Sequence, residues 1–252
     1  LKNLKPMPAA DPLIDKCIEC GFCEPKCPSR GLTLSPRQRI AGWREIARLE
    51  RLPDDGKRPV AGLRRLYDYY GIDTCAGCGL CATACPVAIE TGTLIKALRG
   101  RRAGAIAVRA GDRAARHFGA VTQGVRGGLW CADAIHGLIG TGAMQAITGA
   151  ARRITGGVVP LWRPTIPRAA RFAVPLCAPT VAADPSSRVV YFPSCATRAM
   201  GPARGHLEVD TVPVVTDRLL RRAGFDVIYP DALDGFCCGQ PFESKGLAAA
   251  AG

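Results

Sequence analysis

One run of residues occurs twice in this chain: Cys-x-x-Cys-x-x-Cys-x-x-x-Cys-Pro, at 17–28 and again at 75–86. Each run puts three sulfurs on a short curled loop, at a spacing that reaches three corners of one [4Fe–4S] cube. Cluster iron is held by thiolate, and each cube takes four ligands. In two-cluster arrangements the fourth cysteine of a run, the one before the proline, serves the other cluster. The expected sets are therefore Cys17, Cys20, Cys23 and Cys85 for one cluster, and Cys75, Cys78, Cys81 and Cys27 for the other. Structural zinc sites place two ligand pairs at a larger separation, so a zinc-binding interaction module is the weaker alternative. All eight positions are cysteine, which disfavours a [3Fe–4S] form.

The residues between the cysteines support this reading. Gly21 and Gly79 each follow the second cysteine of a run, where a chain folding round a bulky group needs positive φ or close backbone approach. Backbone N–H groups in such loops aim at sulfur and tune its potential. The first loop carries Glu19, Glu24 and Lys26, whereas the second has no charge between its cysteines. Unequal potentials, and with them a direction for electron flow, are expected from that difference.

A third set lies later: Cys195, then Cys237-Cys238-Gly239, where the adjacent cysteines read as two metal ligands, a redox pair or buried small hydrophobes. Cys131 and Cys177 are isolated and read as core thiols. His117, His136 and His206 lack a cysteine or acid at ligand spacing and read as structural. No glycine-rich dinucleotide fingerprint, phosphate loop or Ser/His/Asp grouping occurs, so no catalytic residue is expected and no motif here binds a flavin or nicotinamide.

Helix signals frame the two runs. Ser35-Pro36-Arg37-Gln38 is a capping-box start for a helix to about Leu52, with Ile40, Trp43, Ile46 and Ala47 as its apolar face. Pro53-Asp54-Asp55-Gly56 reads as a turn. A second helix spans about Pro59–Tyr70, with Val60, Leu63, Leu66 and Tyr70 inward and Gly71 as C-terminal cap. A third starts at Thr91 or Thr93 and carries Leu94, Ile95 and Leu98. Residues 1–16 read as extended, 103–157 as helical and broken by glycines, and 158–187 as a proline-rich linker. No strand is expected before about 187. Strand 188–192, helix 212–223 closed by Gly224, and strand 225–229 then form a β-α-β unit. The fold class is mainly α: an all-helical ferredoxin-like two-cluster domain followed by the start of an α/β domain. The expected boundaries are 1–102, a helical segment and linker at 103–187, and 188–252.

Thirteen cysteines, clustered and without a secretory signal in Leu1-Lys-Asn-Leu-Lys-Pro, point to metal in a reducing compartment, the cytoplasm. The formal net charge is +13. The arginines are spread along the chain and two oxidised clusters would add about −4, so no nucleic acid partner is expected. The stretch 127–151 contains Asp133 and His136 among Gly, Ala and Thr, which argues for packed helices over a spanning one. The chain starts on Leu1 and ends Leu247-Ala-Ala-Ala-Ala-Gly252, so a piece of a longer protein, or a processed one, is expected.

The stretch Asp11-Pro-Leu-Ile-Asp-Lys-Cys-Ile-Glu-Cys-Gly-Phe-Cys-Glu-Pro-Lys-Cys-Pro-Ser-Arg30, with Leu32-Thr-Leu-Ser-Pro-Arg-Gln-Arg-Ile40 after it, resembles the iron–sulfur half of FAD-linked D-lactate dehydrogenases. Related to these are the glycolate oxidase iron–sulfur subunit and the C subunit of anaerobic glycerol-3-phosphate dehydrogenase. Asp73 to Pro86, Tyr191-Phe-Pro-Ser-Cys195 and Cys237 to Gly246 resemble the same group. The resemblance implies a two-cluster ferredoxin-type domain, then cysteine-rich CCG domains of heterodisulfide-reductase type. It implies a flavin-containing dehydrogenase domain or subunit as donor. The implied acceptor is a quinone or cytochrome at the membrane, with the chain peripheral on the inner face. The flavin domain is absent from this chain, as is the later Cys-x-x-Cys of a complete CCG domain, so it should not oxidise a 2-hydroxy acid alone.

Overall fold

The computed structural model describes residues 9–53, 58–170, 187–231 and 233–252. They fall into two compact units: one of residues 1–112 with 239–252, the other of residues 113–238.

The first unit is helical and built round the two cysteine runs. Helix α1 spans Pro36–Glu50, α2 Arg58–Tyr67, and α3 Thr91–Arg102. Both halves of the expected capping box close at the start of α1: the Gln38 amide donates to Ser35 Oγ at 3.4 Å, and the Ser35 amide to Gln38 Oε1 at 2.8 Å. Each run folds alike, with a single 3₁₀ turn, Glu24–Lys26 or Ala82–Ala84, between its third and fourth cysteines. Ile14, Ile40, Ile46, Tyr67, Leu94 and Ile95 lie in one apolar cluster, against which Cys17, Cys75 and Cys85 pack. Residues 11–16 form a tight turn rather than an extended arm. The Leu13 amide donates to Asp11 Oδ1 and the Ala10 amide to Asp15 Oδ1, which delivers Ile14 into the core.

The inward face of α2 differs from the expected one. Val60 and Tyr67 are buried, whereas Leu66 and Tyr70 are exposed. Gly71 does not cap the helix. The chain widens instead into a π-helical turn over Asp68–Asp73, and a Cβ at Gly71 would come within 2.7 Å of the Tyr67 ring. The Tyr67 hydroxyl donates to the Arg39 carbonyl at 2.9 Å, joining α2 to α1. The expected turn at Pro53–Gly56 lies largely outside the described residues. Gly239–Gly252, with the short helices α8 (Gln240–Glu243) and α9 (Ala248–Ala251), also packs on α3. There Lys96 Nζ meets Glu243 Oε1 at 2.8 Å.

Helix α4 (Ala105–Arg116) leads to the second unit, whose main element is α5 (Phe118–Ile154). At Gly140 the backbone leaves the helical region, with φ 77° and ψ 172°, so α5 is two helices joined at a kink and the glycine-broken reading of this stretch holds. Asp133 on α5 pairs with Arg204 at 2.9 Å. No helix among the described residues is long and apolar enough to cross a membrane. Strand β1 (Pro167–Ala169) falls within the expected linker and pairs antiparallel with β3 (Met200–Ala203). Pro175, Pro179, Pro185 and Cys177 lie outside the described residues. The expected β-α-β unit is present: β2 (Arg188–Val190), α7 (Val212–Arg222) and β4 (Asp226–Ile228), with β2 and β4 parallel. Asp217 of α7 accepts from Arg221 at 2.9 Å and from the Tyr229 hydroxyl at 3.0 Å, fixing the helix to the sheet. Burial, reinforced by that carboxylate, pushes the Tyr229 phenol up.

Replacing Gly71 with alanine should force the Tyr67 ring from its site and cost about 1–3 kcal/mol, read as a lower denaturant midpoint at unchanged slope. An unaltered midpoint would contradict the close packing of Gly71 on the Tyr67 ring.

Candidate metal centres

The two runs are structural copies. Glu19 and Gly77, each just before the second cysteine of a run, have φ 57° and 62°; Gly21 and Gly79, just after it, have φ 83° and 74°. The Glu19 amide points at Cys17 Sγ and the Gly77 amide at Cys75 Sγ, both at 3.4 Å. A non-glycine residue at positive φ is strained, and Glu19 is held there by a strong partner: Arg44 NH1 reaches its carboxylate at 2.9 Å.

Arg44 does more than pair with Glu19. It is 3% exposed, and its NH2 donates to the carbonyls of Ile14, Asp15 and Cys17 at 3.3, 3.2 and 3.0 Å. Arg99 treats the second run identically, donating to the carbonyls of Ile72, Asp73 and Cys75 at 2.7, 3.3 and 2.7 Å. These are the same positions ahead of each run. One arginine on α1 and one on α3 therefore staple the entry to each loop. Neither was among the expected site residues. Their signal was placement: Arg44 lies one turn beyond Ile40 and Arg99 one turn beyond Ile95, on the buried side.

Two cavities result. One, partly open to solvent, is lined by Cys17, Cys20, Cys23 and Cys85. The other is lined by Cys27, Cys75, Cys78 and Cys81. Each thus joins three cysteines of one run to the last cysteine of the other. Thr91 at the start of α3 lines both. Cys20 and Cys78 are exposed, while Cys27 and Cys81 are buried. Burial pushes the Cys23 thiol up. The Ser35 hydroxyl, with Arg37 beside it, holds the Glu24 carboxyl below its usual range. The cysteine-only donor set, the two enclosing loops and the amides aimed at sulfur fit a thiolate-bound iron–sulfur cluster in each cavity. Among the described residues no three His, Cys, Asp or Glu side chains converge on a single-ion site.

The third expected set is placed differently. Ser194 caps α6 (Cys195–Ala199) by accepting from the Thr197 amide at 3.2 Å, which puts Cys195 at the first helical position. Arg198 donates to the carbonyls of Leu233 and Phe236, tying α6 to the turn before Cys237 and Cys238. Cys195 is half-buried and Cys238 exposed. Cys131 is exposed on α5 and is not a core thiol, because the cysteine falls on the solvent side of that helix. His136 Nε2 shares a hydrogen bond with Thr141 Oγ1 at 2.8 Å, and His206 Nδ1 accepts from the Glu208 amide at 3.2 Å.

Residues 13–89 match the family model of the 4Fe-4S dicluster domain. This part of the chain is an iron–sulfur module with an electron-transfer role. The chain is also similar to the D subunit of the dihydromethanophenazine:CoB–CoM heterodisulfide reductase of Methanosarcina mazei, with 31% identity over 96 residues, 34% of this chain and 23% of that protein. The same subunit of Methanosarcina acetivorans is 30% identical over 96 residues, again covering 23% of its length. The match therefore spans about a quarter of these relatives. No solved structure matches the chain.

Truncating Arg44 to alanine strands three carbonyls, that of Ile14 buried and those of Asp15 and Cys17 part-buried, together with the strained Glu19, and should cost about 3 kcal/mol of unfolding free energy. Chemical denaturation of the variant checks this; a loss below about 1 kcal/mol would contradict the staple.

Proposed function

We propose that the two cavities each hold a [4Fe–4S] cluster, ligated by Cys17, Cys20, Cys23 and Cys85 in one and by Cys27, Cys75, Cys78 and Cys81 in the other. The clusters supply one-electron redox chemistry. The protein's own residues shape two adjoining sites, present amides to sulfur and leave Cys20 and Cys78 at the surface, where a partner gains access. The observation that carries the reading is the crossed lining of the two cavities.

On this reading the chain is the iron–sulfur part of an FAD-linked 2-hydroxy-acid dehydrogenase of the D-lactate type, with 1–102 as its cluster domain and 188–252 as the start of a CCG domain. It takes electrons from the flavin-bearing domain or subunit and passes them to a quinone or cytochrome, with the assembly peripheral on the inner face of the plasma membrane. The resemblance of 11–40, 73–98 and 188–246 supports this donor. A separate subunit of a glycolate or glycerol-3-phosphate enzyme would use the same parts. A second reading, a protein acting on a disulfide, draws on the similarity to the heterodisulfide reductases and on Cys195, Cys237 and Cys238. The complete gene product, assayed with 2-hydroxy acids and an artificial acceptor and in parallel with organic disulfides, separates the two.

Anaerobic reconstitution should give a brown protein with about eight irons and eight sulfides per chain. Cys27→Ser should disturb the cluster of the second run while sparing the first, and Cys85→Ser the reverse. Zinc without inorganic sulfide would end the proposal.

A further inference from the structure

We infer that Arg39 sets the redox order of the two sites, holding the group bound by Cys27, Cys75, Cys78 and Cys81 at a higher midpoint potential than the group bound by Cys17, Cys20, Cys23 and Cys85. This rests on reading both cavities as cluster sites.

The near-symmetry of the two runs removes most other causes of a difference. Loop backbone, amide-to-sulfur contact and arginine staple are matched on the two sides. Charge is not. At the first cavity both cations face a carboxylate: Arg37 meets Glu24 at 3.2 Å and Arg44 meets Glu19 at 2.9 Å. The two carboxylates of the first loop, Glu19 and Glu24, are thereby offset, and Lys26 is exposed to water.

At the second cavity Arg39 is 1% exposed, and its NH1 lies 3.8 Å from Cys27 Sγ. Its other bonds go to neutral acceptors: the Gly71 carbonyl at 2.8 Å, and the Thr74 and Thr33 hydroxyls at 3.2 and 3.5 Å. Arg99 likewise meets only carbonyls, including that of Ser244. The carboxylates on this side are Glu90, near Gly79, and Glu243; both pair with Lys96 and both are more than a third exposed, where water screens them. Five residues before Arg44 stands Arg39; five before Arg99 stands Leu94, also fully buried. The first cavity therefore has no equivalent of Arg39 on α3.

Reduction adds negative charge to a cluster. A buried cation and an N–H bond to a ligand sulfur both favour the reduced form, and the dry setting leaves that cation unscreened. The deeper burial of Cys27 and Cys81 acts in the opposite sense. It is a small difference in exposure, set against a whole charge touching a ligand sulfur. The group at the second cavity is then the preferred resting place for one electron shared between the two sites, and the relay runs from the first to the second.

The test is electron-paramagnetic-resonance potentiometry on the anaerobically reconstituted chain, with iron and sulfide assayed on every sample. Wild type should show two resolved one-electron reductions. Arg39→Lys should keep their order. Arg39→Gln should lower only the upper midpoint, so that the two merge or invert. Glu19→Gln, which removes a carboxylate charge beside the first cavity, should raise only the lower midpoint. An Arg39→Gln protein with both clusters present and the separation unchanged overturns the inference, as does a shift confined to the lower wave. If Arg39→Gln does not load its second cluster, Glu19→Gln decides, and an unmoved lower midpoint overturns the inference. Wild type that takes up no sulfide removes the cluster reading itself, and this inference with it.

Discussion

Neither cysteine run closes a cavity by itself. Cys27 must reach the loop of the second run and Cys85 the loop of the first, so the two loops are held back to back. The 3₁₀ turns Glu24–Lys26 and Ala82–Ala84 redirect the chain after the third cysteine and deliver the fourth across. Helices α1 and α3 brace the exchange from behind, each by one arginine bonded to three carbonyls at the entry of a run. The apolar core lies beneath these helices and is shared by both loops, with Ile14 supplied from one side and Ile72 from the other. The arrangement is one domain with an internal pseudo-repeat, in which loss of either half would leave the other site a ligand short.

Such packing places cationic side chains where a conventional core has none. An unpaired buried charge is costly, and Arg39 has only neutral acceptors and a cysteine sulfur around it. On the proposed cluster reading, thiolates bearing a net negative cluster would supply the missing counter-charge. Structure and charge thus meet at one residue: the guanidinium that links α1 to the Gly71 carbonyl and the Thr74 hydroxyl also touches a ligand candidate.

Much of this was legible in the amino-acid pattern. The doubled cysteine spacing gave the crossed grouping that the cavities display, the Ser35–Gln38 box marked the start of α1, and Thr91 marked α3. The β-α-β unit followed from two short apolar runs round an amphipathic helix. What escaped was decided by tertiary contacts. Arg39 and Arg44 carry charge and so read as solvent-facing, although both share the buried side of α1 with Ile40. Tyr67 displaced Tyr70 from the core because the helix widens at Asp68–Asp73, shifting its face. Strand β1 is three residues long and begins with a proline, too little for a local signal, and exists through its pairing with β3. Cys131 is chemically apolar but falls on the outer side of α5.

The crossed ligation is the claim on which the account turns, and iron-edge anomalous diffraction from crystals of the anaerobically reconstituted protein tests it most directly. The account predicts two separate iron peaks, one bounded by Cys17, Cys20, Cys23 and Cys85 and the other by Cys27, Cys75, Cys78 and Cys81. Peaks each enclosed by the four cysteines of a single run, or one peak alone, would contradict it.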